Sequence, residues 1–333
     1  MKKIFFIIPC LLLLHITKAQ TVQLLVTDKK ISLRGLSVVT DKVVWVSGSK
    51  GTVGKSIDSG STWTWVTVKG FEKTDFRDIE AFDDKTAIIM GIDTPAVILK
   101  TIDGGTTWKT VYENKTAGMF LDAMHFWNIN SGIVIGDPID NKIFIARTFD
   151  GGNTWKPLPD QYFPIAQKGE ACFASSGTNI TALSKKEAVF VTGGTHSRMF
   201  IRDKQFEMPI LQGKETTGAN SVAVKYKRKK NTIVVVGGDF TTKDSSTKNC
   251  VISTDGGKTF TVPIIPPNGY RSCVIYLEKD NWISCGLNGI DYSRNNGSTW
   301  AWITEEGFHV CQKAKKGKTV FFAGNGRIGK LLE

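Results

Sequence analysis

The stretch Thr101-Ile-Asp103-Gly-Gly105-Thr-Thr107-Trp108 decides the fold, because its pattern returns four more times along the chain. The other copies are Ser56–Trp63, Thr148–Trp155, Ser253–Phe260 and Ser293–Trp300. Their third positions are Asp58, Asp103, Asp150, Asp255 and Asn295, which follow one another at spacings of 45, 47, 105 and 40 residues. The spacing of 105 is about two of the others. A degenerate copy is therefore expected in between, with its turn at Arg202-Asp203-Lys204.

The chemistry of this motif is structural. An Asp or Asn side chain at a turn accepts hydrogen bonds from backbone N–H groups further along, and the glycines supply the positive φ that such a turn needs. The closing Trp or Phe buries a large ring against the neighbouring repeat. Asp58, Asp103, Asp150, Asp255 and Asn295 are therefore expected to hold the fold and to take no part in catalysis.

Alternating apolar runs surround each motif and predict a four-stranded antiparallel unit of the size of a propeller blade. Seven such units begin near Leu36, Ile79, Ala123, Ile180, Ser221, Cys273 and Val310. The last unit has only three strands, whereas Val22–Val26 is an extra strand before the first. The sequence predicts an all-β, seven-bladed β-propeller over residues 20–333, as a single domain, in which the N-terminal strand completes the last blade and removes two sheet edges.

The repeats match the Asp box, also called the bacterial neuraminidase repeat. Together with the runs at 76–82, 118–127 and 169–179, they make the chain resemble exported propellers related to the photosystem II stability/assembly factor family. That resemblance implies a non-catalytic binding or assembly scaffold. Sialidases carry the same box, so a glycoside hydrolase-like enzyme acting on an extracellular glycan stays open as the alternative.

The composition is that of a globular protein, with 333 residues, 41% hydrophobic and 22% charged, which excludes a disordered or disulfide-dense chain. Lys2, Lys3 and the apolar run Ile4–Leu14 predict a cleaved signal peptide over residues 1–19, and hence a periplasmic or extracellular protein. Its removal lowers the net charge from +12 to +9 and leaves five cysteines. Cys273 and Cys285 face each other in a predicted hairpin and could form a disulfide; otherwise they are small buried side chains.

A binding site is expected at the face where the first strand of each blade begins, here called the top face. Polar residues recur there, and the second strands end at the same face; the insertion 156–175 also maps to it. The candidate ligand-binding residues are Arg34, Arg77, Asp78, His196, Tyr270 and Arg271. The candidate acid/base residues for a hydrolase are Asp122, Asp137, Glu170 and Asp239.

Arginines at this face suit a small acidic ligand, an acidic sugar or a peptide carboxylate, because the guanidinium binds carboxylates with two parallel hydrogen bonds. Closely spaced carboxylates would shift one another's pKa, as general acid catalysis requires. The structural alternative is that Arg34, Arg77 and Arg271 pair with Asp78, Asp122 and Asp137 to neutralise the channel mouth. Tyr270 beside Arg271 invites comparison with the sialidase nucleophile, but Phe76–Ile79 lacks the Pro of the sialidase signature.

No histidine or cysteine spacing is typical of a zinc site and no Gly-rich loop opens a helix, so neither a metal nor a cofactor is expected. The basic runs Lys225–Lys230 and Lys313–Lys318 map to the opposite, bottom face. They are either a docking surface for an anionic partner or surface, or solvated turns. Export and the lack of interleaved aromatic residues argue against nucleic acid, and no membrane span is expected beyond the leader.

Overall fold

The computed structural model describes residues 20–228 and 230–332. The predicted signal peptide, Lys229 of the first basic run and Glu333 lie outside the described residues. Strand β1 (Thr21–Val26) comes first and belongs to the last blade. The first three blades are β2 (Leu33–Val38), β3 (Val44–Gly48), β4 (Thr52–Ser56) and β5 (Thr64–Thr67); β6 (Phe76–Ala81), β7 (Ala87–Gly91), β8 (Ala96–Thr101) and β9 (Lys109–Asn114); and β10 (Leu121–Phe126), β11 (Gly132–Ile139), β12 (Lys142–Thr148) and β13 (Lys156–Pro157).

A 3₁₀ turn at Asp160–Tyr162 and the short strand β14 (Glu170–Ala171) follow the third blade. Blade 4 is β15 (Ile180–Ala182), β16 (Ala188–Val191), β18 (Arg198–Ile201) and β19 (Lys204–Glu207), with β17 (Gly193–Gly194) between its second and third strands. Blade 5 is β20 (Thr217–Lys225), β21 (Thr232–Asp239) and β22 (Cys250–Ser253), and its sheet continues past β20 through β17 to β14, so that it has five strands. Blade 6 is β23 (Cys273–Glu278), β24 (Asn281–Gly286), β25 (Gly289–Ser293) and β26 (Ala301–Thr304); blade 7 is β27 (Val310–Lys313), β28 (Val320–Ala323), β29 (Ile328–Leu332) and β1.

The predicted seven-bladed propeller is confirmed, and so is its closure by the N-terminal strand. Strand β1 pairs antiparallel with β29, with Thr21 opposite Leu332 and Val22 opposite Leu331. Because β29 would otherwise expose its backbone N–H and C=O groups, this pairing removes an edge and joins the two ends of the described chain in one sheet.

The turns of the repeated segments have hydrogen bonds of the kind expected from their Asp, Gly and Thr residues. The carboxylate of Asp103 accepts hydrogen bonds from the backbone N–H of Thr107 at 2.9 Å and from the hydroxyl of Thr101 at 2.8 Å. Its hydrogen bond with the Thr107 hydroxyl is the main reason why the pKa of Asp103 falls to about 2. Asn295 holds the same turn, since its Oδ1 accepts the Thr299 N–H at 2.9 Å. The neutral amide therefore substitutes for the carboxylate without loss of the turn.

The box turns also identify the bottom face. The N–H of Gly104 donates to Lys85 O at 2.9 Å, which joins the box of blade 2 to the turn between its first two strands. Gly151 and Asn130 make the equivalent bond at 3.0 Å in blade 3. Each first strand therefore begins at the opposite face, as expected for the top.

Two blades depart from the regular pattern. Blade 4 has four strands but no box, and a tight turn with Arg202 at φ 55° joins β18 to β19. Blade 5 has no regular fourth strand, and only the bridge between Ile252 and Thr261 stands in its place. The prolines at 263, 266 and 267 explain this difference from the prediction, because proline cannot donate to a strand ladder.

The five cysteines of the described chain are buried, free thiols. Cys273 and Cys285 do lie directly opposite each other on β23 and β24. The Sγ of Cys311, on the next blade, is 3.6 Å from that of Cys273. The described residues contain no helix long and apolar enough to cross a membrane.

Candidate functional site

A cavity of about 410 Å³ opens at the top face, over the starts of the first strands. It brings together four of the residues that the sequence singles out, Arg34, Arg77, Asp137 and Tyr270, which come from different blades or the loops beside them. His309, at the start of the last blade, joins them. The cavity is therefore built from residues far apart in sequence, at the centre of the ring.

The floor of this cavity is a stretch of chain that crosses the central channel, residues 173–177, here called the channel segment. The carbonyl of its Ser175 accepts a hydrogen bond from Arg34 Nη1 at 3.0 Å, and the hydroxyl of Ser176 donates to Ser272 O at 2.7 Å. A Cβ at Gly177 would lie 2.4 Å from the carboxyl carbon of Asp78, so only glycine fits there. The segment thus touches blades 1, 2 and 6 and separates the top cavity from the lower channel.

Arg34 brings a positive charge into the cavity, and the acidic side chain that influences it, Asp75, is paired with Arg77. Among the described residues its guanidinium has no carboxylate within 4.0 Å, whereas Arg77 Nε lies 2.9 Å from Asp75. Burial, followed by the charge of Arg77, lowers the pKa of Arg34 below its usual value, but a guanidinium stays protonated at any physiological pH. Arg34 is therefore free to bind an anion.

Asp122 and Asp137 sit together below Arg77. Their carboxylate oxygens and the Cys172 Sγ all lie within 4.8 Å of one another. Burial, followed by the charge of Asp137, raises the pKa of the fully buried Asp122 well above its usual value. Burial raises the pKa of Asp137 to about 6, although its Oδ1 accepts the Cys172 N–H at 2.8 Å. Burial therefore favours the protonated form of Asp122, whereas Asp137, with a pKa of about 6, is mainly ionised at neutral pH.

This oxygen and sulfur cluster is a poor cation site, because Asp122 would first have to lose its proton next to a second carboxylate. A second cluster, Cys273, Cys285 and Cys311, lies within 4.8 Å in the core between blades. Burial raises the pKa of Cys285 and Cys311 well above the usual value, which opposes the thiolate form at two of the three sulfur atoms. At Cys273, burial is outweighed by hydrogen bonds from these two thiols, which lower its pKa.

Neutral polar groups and aromatic rings complete the cavity. Burial, with the charges of Arg34 and Arg77, lowers the pKa of His309 to about 3, so its ring is uncharged. Burial raises the pKa of Tyr270 to about 12, and its hydroxyl donates to Asn220 Oδ1 at 2.8 Å. The partners of this hydroxyl in the described chain are Asn220 and Ser175, and neither is the carboxylate that would make the tyrosine a nucleophile.

Three rings line the cavity that sequence reasoning missed: Phe120, Phe173 and Phe240. Phe173 and Phe240 meet edge to face with centroids 6.0 Å apart, and Phe240 meets Tyr270 at 6.3 Å. Phe240 is 40% exposed. Only long-range packing brings these loop residues together, and no periodic pattern marks them in the sequence.

Arg271 and Glu170 lie where neither can meet a ligand. Arg271 is fully buried, and its Nε lies 2.6 Å from Asp291 Oδ2. Glu170 is buried against Arg198, whose Nε lies 3.0 Å from its Oε1. Both residues contribute to buried ion pairs that fix the loops around the cavity.

The remaining candidates lie beside the cavity. The carboxylate of Asp78 faces the lower channel and accepts the Met124 N–H at 2.7 Å. Asp239 accepts the hydroxyl of Thr241 at 2.6 Å within its own loop, and the His196 ring contacts Thr195. The pairing of Arg34, Arg77 and Arg271 with Asp78, Asp122 and Asp137 is not what the structure shows, since the partners are Ser175, Asp75 and Asp291.

The carboxylates do not form the pair that a glycoside hydrolase uses. Such enzymes place two carboxyl groups on either side of an open cleft. Of the four candidates, Asp137 is the one that lines the described cavity, because Asp122 is fully buried and Glu170 is bound to Arg198. The geometry therefore favours ligand binding over hydrolysis.

On the bottom face, the two basic runs are partly engaged within the protein. Lys225 Nζ lies 2.5 Å from Asp280 and Lys315 Nζ lies 2.7 Å from Glu80. Lys227 and Arg228 are exposed. Part of the predicted charge therefore stabilises neighbouring turns, and the rest faces solvent.

No protein-family model matches the chain, and no curated protein matches it. Solved structures do. "YCF48 bound to D1 peptide" superposes with a TM-score of 0.64 at 15% identity, covering 96% of each chain. "YCF48 from Cyanidioschyzon merolae" superposes with a TM-score of 0.63 at 14% sequence identity, covering 93% of this chain and 98% of that one. The WD40 propeller domain of Doa1 superposes with a TM-score of 0.61 at 12% sequence identity, covering 94% of this chain and 97% of that one. At these identities the likeness establishes the fold.

Proposed function

We propose that the protein is an exported, non-catalytic binding scaffold whose top cavity holds a carboxylate attached to an apolar group. The carboxylate belongs to the end of a partner polypeptide or to a small acidic molecule. Export rests on the leader-like residues 1–19, and the absence of catalysis rests on the isolation of Asp137 in the cavity.

The observation that carries the proposal is the charge of Arg34, which faces the cavity without an acidic partner. Within the described part of the chain, its Nη1 alone is engaged, with Ser175 O at 3.0 Å. The remaining N–H groups can meet a carboxylate with the paired geometry that guanidinium groups favour. A buried, unpaired charge is costly, so an incoming anion would be stabilised by neutralising it.

The aromatic rings define the other half of the ligand. Phe120, Phe173, Phe240 and Tyr270 give the cavity an apolar side next to Arg34. A peptide that ends in an apolar residue presents both features at one point, a free carboxylate and a hydrophobic side chain. One similar propeller is described as bound to a peptide, so this fold accommodates such a ligand.

The test is a screen of immobilised peptides with varied C-terminal residues, each prepared as the free acid and as the amide. We expect the protein to retain free-acid peptides with apolar last residues and to lose at least tenfold in affinity for the amides. The variant Arg34→Gln should show the same loss for the free acids, because one charge-assisted contact is worth about 1.5–3 kcal/mol.

Arg202→Gln, on the exposed side of the ring, is the matched control and should bind as the wild type does. Equal binding of acids and amides, or unchanged binding by Arg34→Gln, would refute the assignment of the carboxylate to this cavity.

A further inference from the structure

A second cavity, of about 600 Å³, lies between blades 3 and 4, away from the central channel. Its walls are apolar and include Trp127, Ile145, Phe190 and Phe200. Phe190 and Phe200 stack with centroids 4.7 Å apart. Its volume falls within the range of small-molecule sites, about 300–1,000 Å³.

This cavity lies at a junction between blades that lacks the aromatic side chain found at other junctions. The closing ring of each Asp box packs into the core that its blade shares with the preceding blade: Trp108 against blade 1, Trp155 against blade 2 and Trp300 against blade 5. Blade 4 has no box, and its Phe206 packs instead in the core shared with blade 5. The junction with blade 3 therefore lacks the ring that five other junctions have.

A cation at the same junction also lacks the partner that two equivalent cations have. Lys55, Lys100 and Arg147 each directly precede a box. Lys55 Nζ donates to Gly104 O at 2.9 Å and Lys100 Nζ to Gly151 O at 2.8 Å, each on the box of the next blade. Arg147 has no box to reach.

The Arg147 guanidinium instead lies between the Trp127 and Phe149 rings, 4.6 and 4.9 Å from their centroids. Its Nε donates to Gly132 O at 3.0 Å and its Nη2 to the Ser131 hydroxyl at 3.3 Å. Among the described residues it has no carboxylate within 4.0 Å, so at this junction it lines the cavity as an uncompensated cation. The other charged residues around the cavity are Lys186, the pair formed by Arg202 and Glu187, and Asp203, which leaves the rim with a net charge of +1.

We propose that the cavity between blades 3 and 4 binds a small aromatic anion, whose ring replaces the missing box ring and whose acidic group meets Arg147. The filled junctions show the chemistry of the occupant: all five hold an aromatic ring, and two of them also place a carbonyl oxygen against the cation. The exposed side chains of Tyr162 and Ile165, at 65% and 57%, stand at the entrance and provide further apolar surface.

The probe is 8-anilinonaphthalene-1-sulfonate, an aromatic anion whose fluorescence rises in apolar sites. The full chain is titrated in an Arg34→Gln background, so that the top cavity does not contribute. We expect saturable binding of one dye per protein. Ala188→Phe and Gln205→Trp, which place new rings in the cavity from two positions on blade 4, should each weaken binding at least tenfold.

Arg147→Gln should weaken binding about tenfold through loss of the charge, while the unfolding midpoint confirms that each variant is folded. If Ala188→Phe and Gln205→Trp both bind the dye as strongly as the protein without these changes, the cavity is not the binding site. Equal binding by Arg147→Gln would overturn the anion as its ligand, and absence of binding in the Arg34→Gln background would overturn the proposal altogether. None of these outcomes affects the carboxylate assignment at the top cavity, which lies elsewhere.

Discussion

At the scale of residues, the charge of the top cavity depends on Asp137. Burial gives this carboxyl a pKa of about 6, whereas an unfolded Asp titrates near 4. Between these values the folded protein binds more protons than the unfolded chain does. A raised carboxyl pKa therefore adds stability as the pH falls from about 6 to 4 and removes it as the pH rises.

We predict that Asp137→Asn stabilises the protein at pH 7 by on the order of 2 kcal/mol and that the gain shrinks towards pH 5. Urea unfolding of wild type and variant at pH 5, 6 and 7 measures the difference. The comparison of the two proteins is needed because His125 and His309 also titrate on unfolding. Their pKa values are lowered to about 4 and 3 in the folded protein, so they make the stability of both proteins rise with pH.

Asp93→Asn is the control, since Asp93 is an exposed carboxylate in the loop after the second strand of its blade. A difference between wild type and Asp137→Asn that stays constant with pH would show that Asp137 does not titrate in this window.

At the scale of elements, the insertion after blade 3 is fixed to blade 4 by the pair of Glu170 and Arg198. Arg198 is 2% exposed and Glu170 4%. The Thr192 hydroxyl donates to the same carboxylate at 2.5 Å. Because this insertion continues into the channel segment, the pair also positions the floor of the top cavity.

We predict that Glu170→Gln lowers the free energy of unfolding by about 3 kcal/mol, because it leaves the Arg198 charge buried without a carboxylate. Glu187→Gln, which removes the exposed pair with Arg202, should cost about 0.5 kcal/mol or less. Urea unfolding measures both. Equal losses in the two variants would mean that the buried pair does not hold the insertion.

At the scale of the whole molecule, the ring depends on β1. Leu25 and Val22 pack against the core that blades 6, 7 and 1 share, while Leu24 on the same strand is 38% exposed. Removing the strand would expose both this apolar core and the backbone edge of β29.

A chain that begins at residue 27 should therefore lose about 3 kcal/mol of stability, the value for exposing about two partly buried aliphatic side chains. It should also associate through the open edge, which size-exclusion chromatography detects. Leu24→Asp, on the exposed side of β1, should leave stability and the elution volume nearly unchanged. If the shortened chain unfolds at the same urea concentration as the wild type, closure by β1 contributes nothing.

The fold follows from local signals in the sequence. The Asp box sets a turn through bonds within five residues, such as Asp103 to Thr107, and the alternation of apolar residues sets the strands around it. Repetition then places the blades side by side, so even the pairing of β1 with β29 follows from the count of strands. The fold differed from this pattern in blade 5, where prolines prevent a regular fourth strand and the short strands β17 and β14 extend the sheet on its other side.

The sites required the tertiary structure. Arg34, Arg77 and Arg271 occupy the same place in their blades but have different partners. Arg271 is buried in an ion pair with Asp291. Arg34 donates one hydrogen bond to Ser175, 141 residues away in sequence, and otherwise faces the cavity. The sequence by itself determined the ring and the face at which its first strands begin. Tertiary contacts decided which charges stay free and where a junction stays empty, because burial and partner choice depend on residues that meet only after the ring has closed.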